Sequence, residues 1–549
     1  MDTVLHLTAR LALVGTLLLL PRFLVLLADD LGGLSRRRAL LCGGGLALAL
    51  LLRLAVPGAM VEVFTGYGLL DAVAQGGPVP KYGAGQAAFL APLFALVGMS
   101  EQAVFALHAV LGSATVGLWA VLVSRWRSDA VRPAVQTVEL STGSGPAPGN
   151  HARDFALPLA LWAGATLPLL LWHDRSEAAT VPAAFALALA LVHAQQAQPD
   201  QHGLPERIGA VLALALAAHT RPELLLSGPL LLAWVVRAHG TWGPLWRTPT
   251  FLALLLLAPQ VWHVAGRGIH HAAAGDLPAL WTLPLTLPVV LPSHHLALWP
   301  HAFPLAATIL GVWGGYHAWR QARDRSLVRM LAVAAVVLVV PALADPVVVS
   351  LPRLQAPLLG LWAAGAATLA TRWLAGKPRR LQVWGAVAWV LTALATVPWV
   401  FRRDNADYEA ELLSAVAQHL TGKRGTLHLL GYDDEGADKV SRHQPAYRFR
   451  PPYAYLRVRP LRELPPVADA EPRWVLLGVR CHARHREPGT PAPLHLDQPA
   501  CGRIRQRRDL QPIFERTLAN RGDVHFSWWP RQPRLSVGLY ALGSTTGSP

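Results

Sequence analysis

The feature that most constrains this chain is a series of apolar runs of about 20 residues, separated by short polar or basic segments. A helix of that length spans the hydrocarbon core of a bilayer. About twelve such segments can be recognised, and the pair 207–219 and 222–237 is broken at Thr220-Arg221-Pro222. The others are 8–28, 39–57, 102–124, 154–173, 178–195, 250–266, 302–320, 327–344, 354–373 and 381–400. The pattern predicts a polytopic α-helical membrane protein.

Composition agrees with this class. The chain is 53% hydrophobic and 15% charged, whereas an ordinary soluble domain is about 25% charged. The formal net charge of +16 would suggest nucleic acid in a soluble protein. Here the basic residues cluster in loops between the apolar runs, where the positive-inside rule places them. We therefore expect no nucleic-acid partner.

Basic residues also predict the orientation. If Arg36-Arg37-Arg38 is cytoplasmic and the spans alternate, most basic loop residues fall on the cytoplasmic side. The segment 58–101 and the C-terminal part then lie on the outer side. An Ala-, Leu-, Arg- and Pro-rich composition favours a bacterial chain, so we expect an inner-membrane protein with this loop in the periplasm.

A few cations are left on the outer side by this count. They either contact solvent and lipid headgroups or, as a set, line a site for an anion near the membrane surface. The residues are Lys81, Arg175, Arg221, Arg267 and Arg353.

The segment from Arg53 to Glu101 is the first long stretch that is neither a span nor a plain linker. It contains two carboxylates, Glu62 and Asp71, and a Gly/Pro/Tyr turn at 78–85. The following apolar piece, 86–97, is too short to cross a membrane, which indicates a re-entrant or interfacial helix.

From Phe401 onward the sequence carries more charge and proline, with shorter apolar runs. We predict a membrane domain over 1–400 and a soluble α/β or α+β domain over 401–549. Its strands are expected at Thr426–Leu430, Trp474–Val479 and Leu535–Leu542, and its helices at Asp407–Leu420 and Leu510–Asn520. Cys481 and Cys501 in this part form either a disulfide or a pair of free thiols.

The loop suits the chemistry of a lipid-linked sugar donor. The phosphate of such a donor lies at the membrane surface while its polyprenyl tail stays in the bilayer. A carboxylate is needed to take the proton of the acceptor hydroxyl, and cations are needed to stabilise the departing phosphate. An acidic residue just outside a span, with basic residues and an interfacial helix nearby, provides these groups.

These residues follow an order that resembles GT-C-fold glycosyltransferases that use polyprenyl- or dolichyl-phosphate sugars, such as protein O-mannosyltransferases and aminoarabinose transferases (glycosyltransferase family 39-like). The matching elements of the loop are Glu62, Tyr67, Gly76, the turn at 78–85 and the apolar helix at 88–98. Where the family has a second acid, this chain has Val63.

Three later segments resemble the same family. Residues 157–177, ending in Asp-Arg-Ser-Glu, resemble its second outer turn. Residues 209–223 resemble its Gly-rich span with a Thr-Arg-Pro ending, and Arg353 resembles the Arg at the entry to a late helix.

The resemblance implies a GT-C-like bundle of about 11–13 transmembrane helices. It implies sugar transfer from a polyprenyl-phosphate donor to a lipid, glycan or protein acceptor among membrane lipids. The base is expected to be Glu62, with Asp71 as the rival. Substrate contacts are expected from Lys81, Tyr82, Asp174, Glu177, Arg221 and Arg353. A divalent cation, Mg²⁺ or Mn²⁺, is the one candidate cofactor.

Two other functions fit a chain of this class. A transporter or flippase of a lipid-linked intermediate would need a polar path through the spans, and the spans carry few ionisable residues. A non-enzymatic scaffold displaying the C-terminal domain would need fewer spans and no structured outer loop.

Overall fold

The structure is a computed structural model of the whole chain. It describes residues 2–32, 34–56, 58, 70, 73, 83–98, 100–126, 150–176, 178–197, 201–239, 244–273, 305–321, 325–344, 351–374, 377–401, 419–420, 423–430, 456–460, 473–477, 510–518 and 535–542. Of the predicted site residues, Asp174 and Arg221 are described with their side chains.

Helices form nearly all of the described N-terminal part. They are α1 (Asp2–Gly32), α2 (Arg36–Ala55), α3 (Gly85–Val97), α4 (Glu101–Ser124), α5 (Asn150–Ala165), α6 (Pro168–His173), α7 (Thr180–Gln196), α8 (Leu204–Thr220), α9 (Leu224–Ala238), α10 (Arg247–Ala273), α11 (Leu305–Arg320), α12 (Arg325–Ala344), α13 (Leu351–Leu374) and α14 (Arg379–Phe401). Short 3₁₀ turns at Gln201–Gly203 and Pro244–Trp246 precede α8 and α10. Each predicted span is helical over most of its described residues.

Four helical stretches in the described chain are long and apolar enough to cross a membrane: Asp2–Ala28, Arg36–Ala55, Glu101–Ser124 and Pro244–Gly266. Shorter apolar helices pack among them, including Thr180–Gln196 and Leu224–Ala238. The predicted class, a polytopic helical membrane protein, is confirmed.

Proline explains two helix breaks. The predicted single span 154–173 is divided into α5 and α6, and Pro168 opens α6, where its missing N–H costs no hydrogen bond. The predicted break near Arg221 is confirmed, because α8 ends at Thr220 and α9 begins at Leu224. Pro222 lies between these two helices.

The centre of the bundle is formed by α4, α7 and α8, in which α7 packs on both α4 and α8, and α13 packs on α4 and α7. Nearly every residue of α7 and α8 is buried, mostly Ala, Leu and Val. By contrast α1, α10 and α14 expose large apolar side chains, among them Leu18, Phe251 and Trp384. An apolar surface around an apolar interior is what a lipid environment allows.

The helix order gives the bundle two ends. The loop end holds the C-terminus of α2, the N-termini of α3 and α4, the α6–α7 turn and the α8–α9 break. The basic end holds the N-terminus of α2, the C-terminus of α4 and the α7–α8, α11–α12 and α13–α14 connections. Contacts across the basic end include Trp126 Nε1 donating to Ser326 Oγ at 3.1 Å and Arg372 Nη2 donating to the Trp126 carbonyl at 3.1 Å.

A five-stranded sheet follows the helices. Its strands are β1 (Gly425–Leu430), β2 (Leu456–Pro460), β3 (Arg473–Leu477), β4 (Leu510–Leu518) and β5 (Leu535–Leu542), in the order β2-β1-β3-β5-β4. β2, β1 and β3 are parallel, whereas β5 pairs antiparallel with β3 and with β4. The predicted strands at 426–430 and 535–542 are confirmed, and the one at 474–479 is confirmed over its described residues, 474–477.

One prediction here was wrong. The segment Leu510–Asn520 is not a helix, because Leu510–Leu518 pairs with β5 as the edge strand β4. Pro512 sits beside a register shift at the sheet edge, where its lack of an N–H is tolerated. Strand β2 was missed, and the predicted helix Asp407–Leu420 lies almost entirely outside the described residues.

Candidate functional site

The loop end of the bundle gathers the segments that the sequence singled out. Asp174 lies in the α6–α7 turn and Arg221 in the α8–α9 break. Arg353 lies in the first turn of α13, and its side chain is outside the description, as are Glu62, Asp71, Lys81, Tyr82 and Glu177. The described residues therefore show the surroundings of the predicted site and two of its members.

A buried ion pair lies where the long loop begins. Arg53, in the last turn of α2, donates from Nε to Asp174 Oδ2 at 2.7 Å. The residue exposures are 0% for Arg53 and 5% for Asp174, so the pair is shielded from solvent. Arg53 Nη1 also donates to the Ala49 carbonyl at 3.0 Å. Burial at this depth makes the pair costly to break, since either charge alone would be stranded.

Gly112 on α4 makes room for this pair. A Cβ at this position would lie 2.7 Å from Asp174 Cβ and closer still to its carboxyl group. Any larger residue would displace the carboxylate from Arg53. Three elements, α2, α4 and the α6–α7 turn, thus fix the position of Asp174.

The rest of the α6–α7 turn is fastened in the same way. His108 Nδ1 lies 2.6 Å from the Ser176 carbonyl, and Ser176 Oγ donates to the His173 carbonyl at 2.6 Å. Arg175 Nε donates to the Val56 carbonyl at 3.1 Å. Partial burial lowers the pKa of the Arg175 guanidinium, which still stays cationic at neutral pH. The chain leaving α2 is therefore held at two points by this turn.

The short helix α3 docks its N-terminus on the end of α8. Gly83 has a φ of +94°, a conformation that favours glycine. A Cβ there would lie 2.8 Å from the His219 carbonyl oxygen, and one on Gly85 would lie 2.6 Å from the His219 carbonyl carbon. The backbone of the Gly83-Ala84-Gly85 turn can approach His219 and Thr220 this closely because Gly83 and Gly85 have no side chains.

Arg221 follows at the end of α8. It is 4% exposed, and its Nη2 donates to Glu223 Oε1 at 2.6 Å. The described end of the Gly/Pro/Tyr turn, Gly83–Gly85, and the Thr-Arg-Pro element are more than a hundred residues apart in the sequence but are neighbours in the structure.

Two described residues of the long loop pack at the same end. Leu70 and Val73 are buried in a cluster with Leu90 of α3, Phe105 of α4 and Ala179. Asp71 stands between them in the sequence, but it lies outside the described residues. This cluster fastens the middle of the loop to α3 and α4.

Sequence reasoning missed two side chains at this end. It treated Arg53 only as the start of the loop and did not consider His108. Both are fully buried, and Arg53 Nη2 and His108 Nε2 have no hydrogen-bond partner among the described residues. The available signal for Arg53 was a lone cation in the last turn of an otherwise apolar helix, which is costly at membrane depth.

The predicted divalent cation has no described ligand cluster to support it. No group of three or more His, Cys, Asp or Glu side chains that could hold a metal ion occurs among the described residues. Glu62, Asp71 and Glu177 lie outside the described residues, so the Mg²⁺ or Mn²⁺ expectation stays a prediction.

Comparison with known proteins gives a likeness in structure and none in sequence family. No protein-family model and no curated protein matches the chain. Among solved structures, the chain is similar to ArnT from Cupriavidus metallidurans, crystallised with bound undecaprenyl phosphate. The two chains are 12% identical with a TM-score of 0.47, over 93% of this chain and 99% of that chain. The functional assignment therefore rests on the residues of the loop end.

Proposed function

We propose that this chain is a membrane glycosyltransferase that moves a sugar from a polyprenyl-phosphate donor to an acceptor. The observation that carries the proposal is the convergence at the loop end of the bundle. The start of the loop at Arg53, the Gly83–Gly85 turn, the Asp174 turn and Arg221 lie on one end of one packed core. The loop between them carries the candidate base.

Unfilled hydrogen-bonding capacity supports a polar or anionic substrate there. Arg53 Nη2 is buried without a partner among the described residues, and a buried donor of this kind costs about 1–3 kcal/mol until it is satisfied. A phosphate or sugar oxygen would satisfy it. Arg221, buried beside Glu223, adds a second guanidinium at this end.

In the proposed reaction, an acceptor hydroxyl oxygen attacks the anomeric carbon of the donor sugar. The bond from that carbon to the phosphate oxygen breaks, and polyprenyl phosphate leaves with the electron pair. Glu62 takes the hydroxyl proton as general base, with Asp71 as the alternative. Lys81, Arg221 and Arg353 stabilise the phosphate charge, and a divalent cation, Mg²⁺ or Mn²⁺, would act on the same oxygens.

The remaining predicted site residues either contact the substrate or hold the loop in position. Tyr82 and Glu177 contact the substrate in this proposal. Asp174, predicted as a substrate contact, is engaged with Arg53 in the structure, so we propose that it acts mainly by holding Arg53 and the loop in place. The loop end faces the periplasm of a bacterial inner membrane, and the acceptor is a lipid, glycan or protein.

The packed interior favours the transferase over a flippase. The central helices α7 and α8 bury Ala, Leu and Val along almost their whole length. The few polar side chains of α7 lie near its two ends, as with Thr180 and His193. A flippase would need polar groups along the route that the lipid headgroup takes through the helices.

The test is transfer of radiolabelled sugar from a polyprenyl-phosphate donor pool in membranes expressing the wild type, Glu62→Ala or Asp71→Ala. We expect Glu62→Ala to lower transfer at least about 100-fold, as loss of a general base does, with Asp71→Ala less affected. Full activity in Glu62→Ala with an inactive Asp71→Ala would move the base to Asp71. Wild-type activity in both variants would contradict the catalytic role of the loop.

A further inference from the structure

A second organised surface lies at the basic end, where α11, α12 and α13 meet. Its aromatic side chains are Trp313, Tyr316 and Trp319 of α11 and Trp373 of α13. His317 joins the two helices, since its ring stacks on Trp373 with centroids 5.9 Å apart. We call this set, together with the cations below, the aromatic–cation patch.

Four cations lie on these rings. Arg320 stands 5.7 Å from the Tyr316 centroid, and Lys377 stands 5.5 Å from the Trp373 centroid. Arg325 and Arg329 stand 5.9 and 5.5 Å from the Trp319 centroid. The four cations therefore come from three different parts of the chain onto one surface.

None of these four cations meets a carboxylate among the described residues. Stacking on a ring face positions a guanidinium without using its N–H groups. Arg325 Nε donates to the Trp319 carbonyl at 2.9 Å, and its other donors remain available. Arg323 and Asp324, in the α11–α12 connection, lie outside the described residues.

Two helices begin at this surface with cationic residues in the first turn, where acidic residues are usually favoured. Arg325 opens α12, and Arg379 with Arg380 opens α14, with no acidic residue in either first turn. A helix N-terminus is electropositive, so a cation there is unfavourable until an anion is bound. The surface thus combines stacked cations, positive helix ends and the exposed rings Tyr316 and Trp319, which are 48% and 45% exposed.

We propose that the aromatic–cation patch binds the headgroup of an anionic phospholipid. Exposed Trp and Tyr side chains belong at the membrane–water interface, and apolar side chains of the same helix, such as Ile309 and Val312, are exposed for the acyl chains. A phosphodiester with a net negative charge complements donors that have no carboxylate. This site lies at the opposite end of the bundle from the proposed transfer site and does not depend on that function.

The test uses the full chain purified in detergent and titrated with phosphatidylglycerol or phosphatidylcholine, with bound lipid counted by native mass spectrometry. The patch variant is Arg320→Gln/Arg329→Gln/Lys377→Gln. The matched control is Arg36→Gln/Arg37→Gln/Arg38→Gln, which removes the same charge from another helix start at the basic end. We expect the patch variant to bind phosphatidylglycerol at least about tenfold more weakly, with the control within about twofold of the wild type.

A charge-retaining variant, Arg320→Lys/Arg329→Lys/Lys377→Arg, separates charge from folding. We expect it to keep most of its phosphatidylglycerol binding. Equal losses in the patch and control variants, or equal wild-type binding of both lipids, would overturn the proposal. Competition by inorganic phosphate at millimolar concentration would also overturn it, because the site would then recognise a free anion.

Discussion

The cations at the two ends of the bundle have opposite environments. At the basic end, Arg320, Arg329 and Lys377 lie on aromatic rings and meet no carboxylate among the described residues. At the loop end, Arg53 and Arg221 are buried, and each donates to a carboxylate, at 2.7 Å and 2.6 Å respectively. Both sets are cationic side chains, and they differ in their burial and in their partners.

If the basic end is cytoplasmic, as the sequence predicts, the difference separates the cations that membrane topology explains from those that it does not. The positive-inside rule explains why cations are present at the basic end, but it does not explain their arrangement on aromatic rings. Loop-end cations oppose that rule and are also buried, which adds a desolvation cost. We associate these loop-end cations with function, because they are unfavourable both in their membrane orientation and in their burial.

The largest effect is expected from breaking the Arg53–Asp174 pair. Asp174→Ala would leave the Arg53 guanidinium buried without its carboxylate and destabilise the protein by about 3–5 kcal/mol. Arg53→Met/Asp174→Leu should recover part of that loss, because no charge remains buried. The measurement is the thermal unfolding midpoint in detergent.

Its control is Arg22→Gln. Arg22 donates to Glu206 at 2.7 Å; Glu206 is buried, but half of the Arg22 side chain is exposed. Because only one of the two charges is shielded from solvent, Arg22→Gln should destabilise the protein less than Asp174→Ala does. Equal destabilisation by Asp174→Ala and Arg22→Gln would show that the loop end is not special in burying its charge.

A smaller effect is expected at the contact between the short helix and α8. A methyl group at Gly85 would press on the backbone at His219 and Thr220, which cannot move aside as a side chain can. Gly85→Ala should therefore cost about 1–3 kcal/mol by overpacking and lower sugar transfer by displacing the loop.

Gly43→Ala is the matched glycine, since a Cβ on Gly43 in α2 has nothing within 4 Å. This change should be neutral or stabilising by up to about 1 kcal/mol, as expected for Gly to Ala in a helix. Stability and transfer are to be measured on both variants. Normal transfer by Gly85→Ala would separate the loop contact from activity.

Apolar periodicity and length were enough to predict the helices, because each span must bury its own backbone bonds in lipid. The break at Thr220-Arg221-Pro222 also follows from local chemistry, since proline cannot continue α8. The pairing of Arg53 with Asp174 could not be predicted this way: the two residues are 121 positions apart, and their contact depends on how α2, α4 and α6 pack. Strand β4 was missed for the same reason, since its pairing with β5 outweighs its helix-like sequence.

The proposed transfer site is tested most directly by polyprenyl-phosphate binding to two lysine variants in phosphatidylglycerol-containing nanodiscs. Lys81→Gln removes a cation from the proposed transfer loop, and Lys377→Gln removes one from the aromatic–cation patch. We predict that Lys81→Gln weakens polyprenyl-phosphate binding about tenfold, roughly the 1.4 kcal/mol of one charge-assisted contact, and that Lys377→Gln leaves it within twofold. Unchanged affinity in Lys81→Gln, or equal weakening in both variants, would contradict it.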